Sequence, residues 1–274
     1  MGNHLGNARL RVGDLERQTK IGPEVVTITS YPAVEHGLLE KHGNWEPPGG
    51  TGVYRRSLYF WRNFTGRWTP CDLLLFLDGQ NLFRTPQKEG LPHWNGEYHF
   101  ANWHQPLLVV GVPASRRRYP EYIGWSQEPG HYSPSGQKHA EFLAKHLLPY
   151  FKGWYPKARL RGLVGASAGG VAALYAGWMF PKTFPAICCL SAGRHYFDEL
   201  LTIFEGCPSK RLYISCGNSG MDRDFLPQSK YFAAQILKRR PEELLCRWHP
   251  GDHSEPVWSK RLQDILEFTL KKPS

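Results

Sequence analysis

The sequence predicts an α/β fold in which helices cover a mostly parallel central sheet, with an antiparallel edge formed by the N-terminal strands. Strand-like apolar runs alternate with helix-like periods along most of the 274 residues. Several of those runs are apolar on both faces, which is typical of parallel strands buried between two layers of helices. The first strand-like runs follow one another without a helix between them, and this predicts the antiparallel edge.

The predicted strands are short runs of β-branched and other apolar residues. The first lies at 24–29 and is followed by a loop at 43–52 that is rich in glycine and proline. The others lie near residues 53–62, 72–77, 107–112, 160–165, 186–191, 210–216 and 244–249.

The predicted helices alternate with the later strands, near residues 137–151, 168–180, 226–239 and 256–271. In the first of them, bulky residues recur at the i, i+3 and i+4 spacing of one helix face, at Phe142, Leu143, His146, Leu147 and Tyr150. No repeat or linker interrupts the alternation. We therefore expect a single α/β domain over residues 23–272, preceded by a polar N-terminal arm over 1–22.

The bulk properties indicate a soluble, cytoplasmic protein. The longest apolar runs are far too short to cross a bilayer, and the first residues lack a secretory signal. The six cysteines show no C-x-x-C spacing, which predicts reduced thiols. The net charge of +10 is scattered, with short clusters at 116–118 and 238–240, and no nucleic-acid-binding motif accompanies it. We predict neither a membrane nor a nucleic-acid partner, and make no prediction of the oligomeric state.

One segment carries a signal for covalent catalysis. An apolar run ends in Gly165-Ala166-Ser167-Ala168-Gly169, and an Ala-rich helical period follows. A Gly-x-Ser-x-Gly turn between a strand and a helix is so tight that a Cβ at either glycine would collide with its neighbours. The turn exposes the serine hydroxyl above the helix N-terminus, where the Ala168 N–H can stabilise an oxyanion. Ser167 is therefore the predicted nucleophile.

A nucleophilic serine needs a base, an orienting acid and a second oxyanion donor. His253 is the predicted base because it lies in a Pro/Gly loop after the last strand, at the sheet edge where open α/β folds bind ligands. The loop after the preceding strand offers Asp222 and Asp224 as the acid, and sequence order does not choose between them. The Gln80 N–H, in a Gly-containing turn after an earlier buried strand, is the predicted second donor.

Four segments and one tryptophan carry a resemblance to a known family: Leu77-Asp-Gly-Gln-Asn-Leu-Phe83, Arg118-Tyr-Pro-Glu-Tyr-Ile-Gly-Trp125, Gly165-Ala-Ser-Ala-Gly-Gly170, Pro250-Gly-Asp-His253 and Trp258. Together they resemble the putative-esterase family of α/β-hydrolases, over residues 53–270. That family includes enterochelin esterases, feruloyl and acetyl-xylan esterases, and the antigen 85 mycolyltransferases. The enterochelin esterase-like branch is the most similar.

The resemblance implies an α/β-hydrolase fold and a serine carboxylic-ester hydrolase that works through an acyl-enzyme, without a metal or cofactor. In this family an acidic residue often opens a segment like Asp224-Phe225-Leu226, at a similar distance before the catalytic histidine. This favours Asp224 over Asp222 as the acid. By the same resemblance, Gln80 and Ala168 supply the oxyanion N–H groups.

The resemblance also implies a substrate site, formed by Arg118, Glu121, Tyr122 and Trp258. The basic cluster at 116–118 beside it predicts a small-molecule ester that is anionic or phenolic. Glu255 stands where many relatives carry a tryptophan, and longer siderophore esterases have an N-terminal domain that does not match here. Both departures argue against assigning a siderophore as the substrate.

Three other functions fit parts of the sequence. An acyltransferase would use the same triad and pass the acyl group to an alcohol instead of water. A catalytically silent hydrolase fold would serve as a binding or scaffold protein, although a complete set of triad candidates argues against it. A nucleic-acid binder has only the net charge in its favour.

Overall fold

The computed structural model describes the chain from residue 26 to residue 271 with several gaps. The described residues are 26–33, 39–41, 44–46, 54–83, 90–115, 118–123, 125, 136–193 and 195–271. The predicted N-terminal arm and the first two arginines of the cluster at 116–118 lie outside these residues.

The strands of the described residues form one large sheet and one small antiparallel pair. They are β1 (Val26–Ala33), β2 (Leu39–Lys41), β3 (Asn44–Glu46), β4 (Tyr54–Arg62), β5 (Cys71–Leu77), β6 (Leu107–Val112), β7 (Ala158–Ala166), β8 (Ala186–Leu190), β9 (Arg211–Cys216) and β10 (Glu243–Trp248). The large sheet has the order β1-β4-β6-β5-β7-β8-β9-β10. The small pair consists of β2 and β3, and β3 lies within the loop predicted at 43–52.

The sheet is mostly parallel, as predicted. The strand β4 pairs antiparallel with both β1 and β6, and every other pairing in the sheet is parallel. The predicted antiparallel edge is therefore confirmed. It arises where the chain passes from β1 to β4 without a described helix between them.

The helices of the described residues are α1 (Gly96–Ala101), α2 (Arg118–Tyr122), α3 (Gly136–Glu141), α4 (Leu148–Trp154), α5 (Ala168–Met179), α6 (Tyr196–Ile203), α7 (Asp222–Lys238), α8 (Glu255–Ser259) and α9 (Leu262–Leu270). A π-helical stretch, Phe142–Leu147, joins α3 to α4, so the helix predicted at 137–151 is continuous. The helix predicted at 256–271 is divided into α8 and α9, and α7 begins four residues before its predicted start. The sequence did not predict α1 and α2 because helices of five or six residues are too short to show a period.

Two apolar cores lie on the two faces of the sheet, and β5 contributes to both. Leu73, Leu75 and Leu77 pack into the core beneath α2 to α7, whereas Leu74 and Phe76 pack into the core beneath α1, α8 and α9. This alternation follows from the two-residue period of a strand. Because helices cover both faces, the carboxyl ends of the parallel strands, where the loops emerge, are where ligands bind in such a fold.

Among the described helices, none is both long and apolar enough to span a membrane.

Candidate active site

Ser167 occupies a sharp turn between β7 and α5. Its backbone has φ 56° and ψ −132°, in the positive-φ region that side-chain-bearing residues rarely adopt. The turn is held by the Ser167 N–H, which donates to the Leu190 carbonyl on the neighbouring strand at 2.8 Å, and by the Gly170 N–H, which donates to the Ser167 carbonyl at 2.9 Å. Such strain persists only where the surroundings enforce it, and it is concentrated at functional sites.

The glycines of this turn are required by close backbone contacts. A Cβ at Gly165 would lie 2.1 Å from the Gly169 carbonyl oxygen, and one at Gly169 would lie 2.8 Å from the Asp78 carboxylate. The predicted tight strand-to-helix turn is therefore confirmed. It also brings the start of α5 against the segment that follows β5.

His253 lies in the loop between β10 and α8 and is hydrogen-bonded to Asp222. Its Nδ1 is 2.7 Å from Asp222 Oδ1. When Nδ1–H is donated to this carboxylate, the basic lone pair of the imidazole is on Nε2. The other oxygen of Asp222 accepts hydrogen bonds from Ser191 Oγ at 2.5 Å and from the Gly217 N–H at 2.9 Å. The carboxylate is thus fully hydrogen-bonded although it is completely buried.

The structure corrects the preference for Asp224 as the partner of His253. The carboxylate that contacts His253 belongs to Asp222, and the Asp224 side chain is exposed to solvent. The reason is helix phase. Because α7 begins at Asp222, Asp224 follows about 200° further around the helix and points away from the histidine.

Hydrogen bonding keeps Asp222 ionised. Burial by itself would raise the pKa of this carboxyl group, but hydrogen bonds from His253, Ser191 and Gly217 outweigh it and hold the pKa below its ordinary value of 3.8. A carboxylate with a lowered pKa in the folded state stabilises the fold while it is ionised. This contribution is lost as the pH falls through the folded-state pKa.

The free energy of unfolding should reveal this pH dependence. We expect the stability advantage of the wild type over Asp222→Asn to shrink as the pH falls from about 5 to about 3, since the unfolded wild-type chain then takes up a proton at Asp222 more readily than the folded chain does. Urea unfolding at a series of pH values measures it. The exposed Asp224→Asn variant is the matched control, and its difference from wild type should change much less. An Asp222→Asn difference that grows toward pH 3 would contradict the assignment.

Gln80 lies in the segment after β5, whose residue Asp78 packs against the nucleophile turn. Gln80 lies in the short helical turn Gly79–Asn81, and β5 is the sheet neighbour of β7. Gly79 packs directly on β6, because a Cβ there would lie 2.2 Å from the Gly111 carbonyl carbon. Ala168 is the first residue of α5, where a backbone N–H has no acceptor within its own helix.

The side chains predicted to bind substrate lie mostly beneath the site. Glu121 and Tyr122 are each 1% exposed; Glu121 accepts a hydrogen bond from the Ser115 N–H, and the Tyr122 hydroxyl accepts one from the Asp78 N–H. Arg118 forms an ion pair with Asp78. Arg118 and Tyr122 therefore contact Asp78 in the segment after β5, whereas Glu121 contacts the segment after β6.

Trp258 and Ser191 support the His253–Asp222 pair. Trp258 is largely buried, its ring meets His253 edge-on with centroids 5.0 Å apart, and its Nε1–H donates to Ser191 Oγ at 2.9 Å. Ser191 in turn donates to Asp222. Ser191 was not predicted from the sequence, although its position just after β8, at the same sheet edge, was a usable signal.

A cavity of about 230 Å³ opens beside these residues. Ser167 and His253 both line it, and the rest of its wall is mainly aromatic or apolar: Tyr119, Ala168, Val171, Ser191, Ala192, Gly193, Tyr196, Met221 and Phe225. Tyr119, rather than the three predicted residues of α2, is the part of that helix that reaches the cavity. Within the described ranges, no group of three or more His, Cys, Asp or Glu side chains is placed to hold a metal ion.

Comparison with known proteins relates the chain to esterases. The family described as "Putative esterase" matches residues 62–269. No curated protein matches the chain by sequence.

Solved structures share the fold at low sequence identity. The ferric enterobactin esterase of Salmonella typhimurium is 16% identical, with a TM-score of 0.64 over 93% of this chain and 60% of its own. The Shigella flexneri enterobactin esterase, solved in the presence of enterobactin, is 18% identical, with a TM-score of 0.57 over 78% of this chain and 55% of its own. A siderophore hydrolase from Aspergillus nidulans is 15% identical, with a TM-score of 0.53 over 77% of this chain and 89% of its own. This chain thus spans little more than half the length of the enterobactin esterases, and the likeness shows an α/β-hydrolase fold.

Proposed function

We propose that this chain, which belongs to the putative-esterase family, is a serine esterase that hydrolyses a small-molecule carboxylic ester through Ser167, His253 and Asp222. One observation carries the proposal. The buried Asp222 carboxylate is hydrogen-bonded to Nδ1 of His253, and His253 lines the same cavity as Ser167, whose backbone is strained. A carboxylate in this position orients the imidazole and stabilises its protonated form.

The first half of the reaction acylates the serine. Ser167 Oγ attacks the carbonyl carbon of the ester while His253 Nε2 takes the hydroxyl proton, and the resulting imidazolium is stabilised by Asp222. The negative charge that develops on the carbonyl oxygen is stabilised by the Gln80 and Ala168 N–H groups. Collapse of the tetrahedral intermediate breaks the C–O bond of the ester, and His253 returns the proton to the departing alcohol.

The second half releases the acid. A water molecule enters, His253 removes one of its protons, and the hydroxide attacks the acyl carbon of the Ser167 ester. The same N–H groups stabilise the second oxyanion. When the intermediate collapses, the proton returns to Ser167 Oγ, so the enzyme is regenerated and a carboxylic acid leaves.

The cavity wall supports an ester with an aromatic or apolar part. Aromatic faces are offered by Tyr119, Tyr196 and Phe225, and an aliphatic one by Val171. This wall fits a phenolic ester, one of the two substrate types predicted from the sequence. Arg118 gives no support to an anionic substrate, because its charge is neutralised by Asp78. The other two arginines of the cluster lie outside the described residues, so an anionic substrate stays a prediction. The structural neighbours named above include enterobactin esterases and a siderophore hydrolase, which supports the hydrolysis of a small-molecule ester.

Hydrolysis of p-nitrophenyl esters of graded acyl size, combined with labelling by a fluorophosphonate, tests the proposal. We expect turnover in water and a labelled peptide that contains Ser167 and not Ser191, the other serine of the cavity wall. Labelling of Ser167 with turnover only after a polyol acceptor is added would identify an acyltransferase instead. Neither turnover nor labelling would indicate a catalytically silent protein and contradict the proposal.

A further inference from the structure

Asp78, two residues before Gln80, forms a bidentate ion pair with Arg118. Arg118 Nε donates to Asp78 Oδ1 at 2.8 Å, and its Nη2 donates to Asp78 Oδ2 at 2.7 Å. The two side chains are only 27% and 9% exposed. Two parallel hydrogen bonds between a guanidinium and a carboxylate fix orientation as well as distance, which a single-point contact does not do.

Asp78 holds the backbone that leads to Gln80 in an unusual conformation. Its φ of 54° and ψ of 40° are left-handed, which a residue with a side chain adopts only when its contacts enforce it. The Asp78 N–H donates to the Tyr122 hydroxyl at 3.1 Å, and Asp78 Oδ1 also accepts a hydrogen bond from Gln80 Nε2 at 3.2 Å. The direction of the Gln80 N–H therefore depends on how the Asp78 side chain is held.

The same ion pair touches the nucleophile turn. Arg118 Nη2 is 3.5 Å from the carbonyl oxygen of Ala166, the residue before Ser167. On the other side of the turn, Asp78 Oδ2 lies so close to Gly169 that a Cβ there would approach it to 2.8 Å. The pair is thus in contact both with the turn that carries Gln80 and with the turn that carries Ser167 and Ala168.

We infer that Arg118 and Asp78 act as one positioning unit, which sets the Gln80 N–H and the Ala168 N–H at the separation that an oxyanion requires. The inference rests on the proposed function. Arg118 also neutralises the Asp78 carboxylate, which would otherwise repel the negative charge developing at the neighbouring N–H groups. Arg118 is therefore not a binding residue for an anionic substrate.

The chain offers a matched control for this unit. Arg161 Nε lies 2.6 Å from Asp72 Oδ1, in a partly buried ion pair that joins β7 to β5, with side chains 30% and 13% exposed. Asp72 lies at the amino end of β5, opposite to the site. Removing this pair should cost similar stability without moving the Gln80 or Ala168 N–H groups.

The experiment compares Arg118→Ala, Arg118→Lys, Asp78→Asn, the double variant Arg118→Ala/Asp78→Asn and the control Arg161→Ala. For each, kcat and KM are measured with one neutral and one anionic aryl ester, and Tm is recorded. We expect Arg118→Ala to lower kcat by about 10- to 100-fold for both esters with little change in KM, because small misplacement of reacting groups is that costly. Arg118→Lys should recover part of the loss, and the double variant should be no slower than the slower single variant. Arg161→Ala should keep the wild-type kcat.

Three results would overturn the inference. They are a wild-type kcat in Arg118→Ala, a KM increase confined to the anionic ester, and strictly multiplicative losses in the double variant, which would mean that the two residues act independently. Each leaves the proposed function intact, because wild-type turnover and Ser167 labelling are unaffected by them. If the wild type showed neither ester turnover nor labelling of Ser167, the proposed function and this inference would be overturned together.

Discussion

Replacement of Ser167 by alanine is expected to lower kcat for ester hydrolysis by about 10⁴-fold or more, since no acyl-enzyme can form without the nucleophile. The variant should fold normally. The Ser167 side chain makes no capping hydrogen bond to α5, and alanine is no bulkier at the strained position. Stopped-flow or long-time-course assays of an activated aryl ester measure the loss, with fluorophosphonate labelling as an independent readout.

A buried serine away from the site provides the control for this variant. Ser209 lies before β9, at the opposite end of the sheet, and donates to the Phe184 carbonyl at 2.8 Å. Ser209→Ala should lose about 0.5–1.5 kcal/mol of stability, the usual net value of one hydrogen bond, and keep its kcat. Ser167→Ala that retains more than about 1% of wild-type kcat would identify a different nucleophile.

The second large effect separates two aspartates that are two residues apart. Asp222→Asn is expected to lower kcat by about 10⁴-fold, because an amide that faces Nδ1 as a donor holds the imidazole in the wrong tautomer. Asp224→Asn, at an exposed position of the same helix turn, is expected to stay within about twofold of wild type.

Steady-state kinetics of both variants with the same ester measure the contrast between them. Circular dichroism and Tm should confirm that Asp222→Asn remains folded, since the substitution also weakens the hydrogen bonds from Ser191 and Gly217. A large loss of kcat in Asp224→Asn with a small one in Asp222→Asn would restore the interpretation made from the sequence and require α7 to begin later than it does here.

The sequence by itself determined the features that depend on local structure. The order of apolar strands and helical periods predicted the mostly parallel sheet with its antiparallel edge. Gly165 and Gly169 predicted a turn too tight for a Cβ, and such a turn is present around Ser167. These predictions succeed because apolar periodicity and glycine requirements are properties of a few consecutive residues.

Only the tertiary structure decided which polar groups meet at the sheet edge. His253 contacts Asp222 rather than Asp224 because α7 begins at Asp222, and helix start positions are the least predictable part of an apolar pattern. Arg118 faces Asp78 instead of the cavity, and Ser191 links Trp258 to Asp222. Such hydrogen bonds join residues 31 to 67 positions apart in the chain, so no local pattern encodes them. Their geometry exists only once the sheet has brought the carboxyl ends of its strands together.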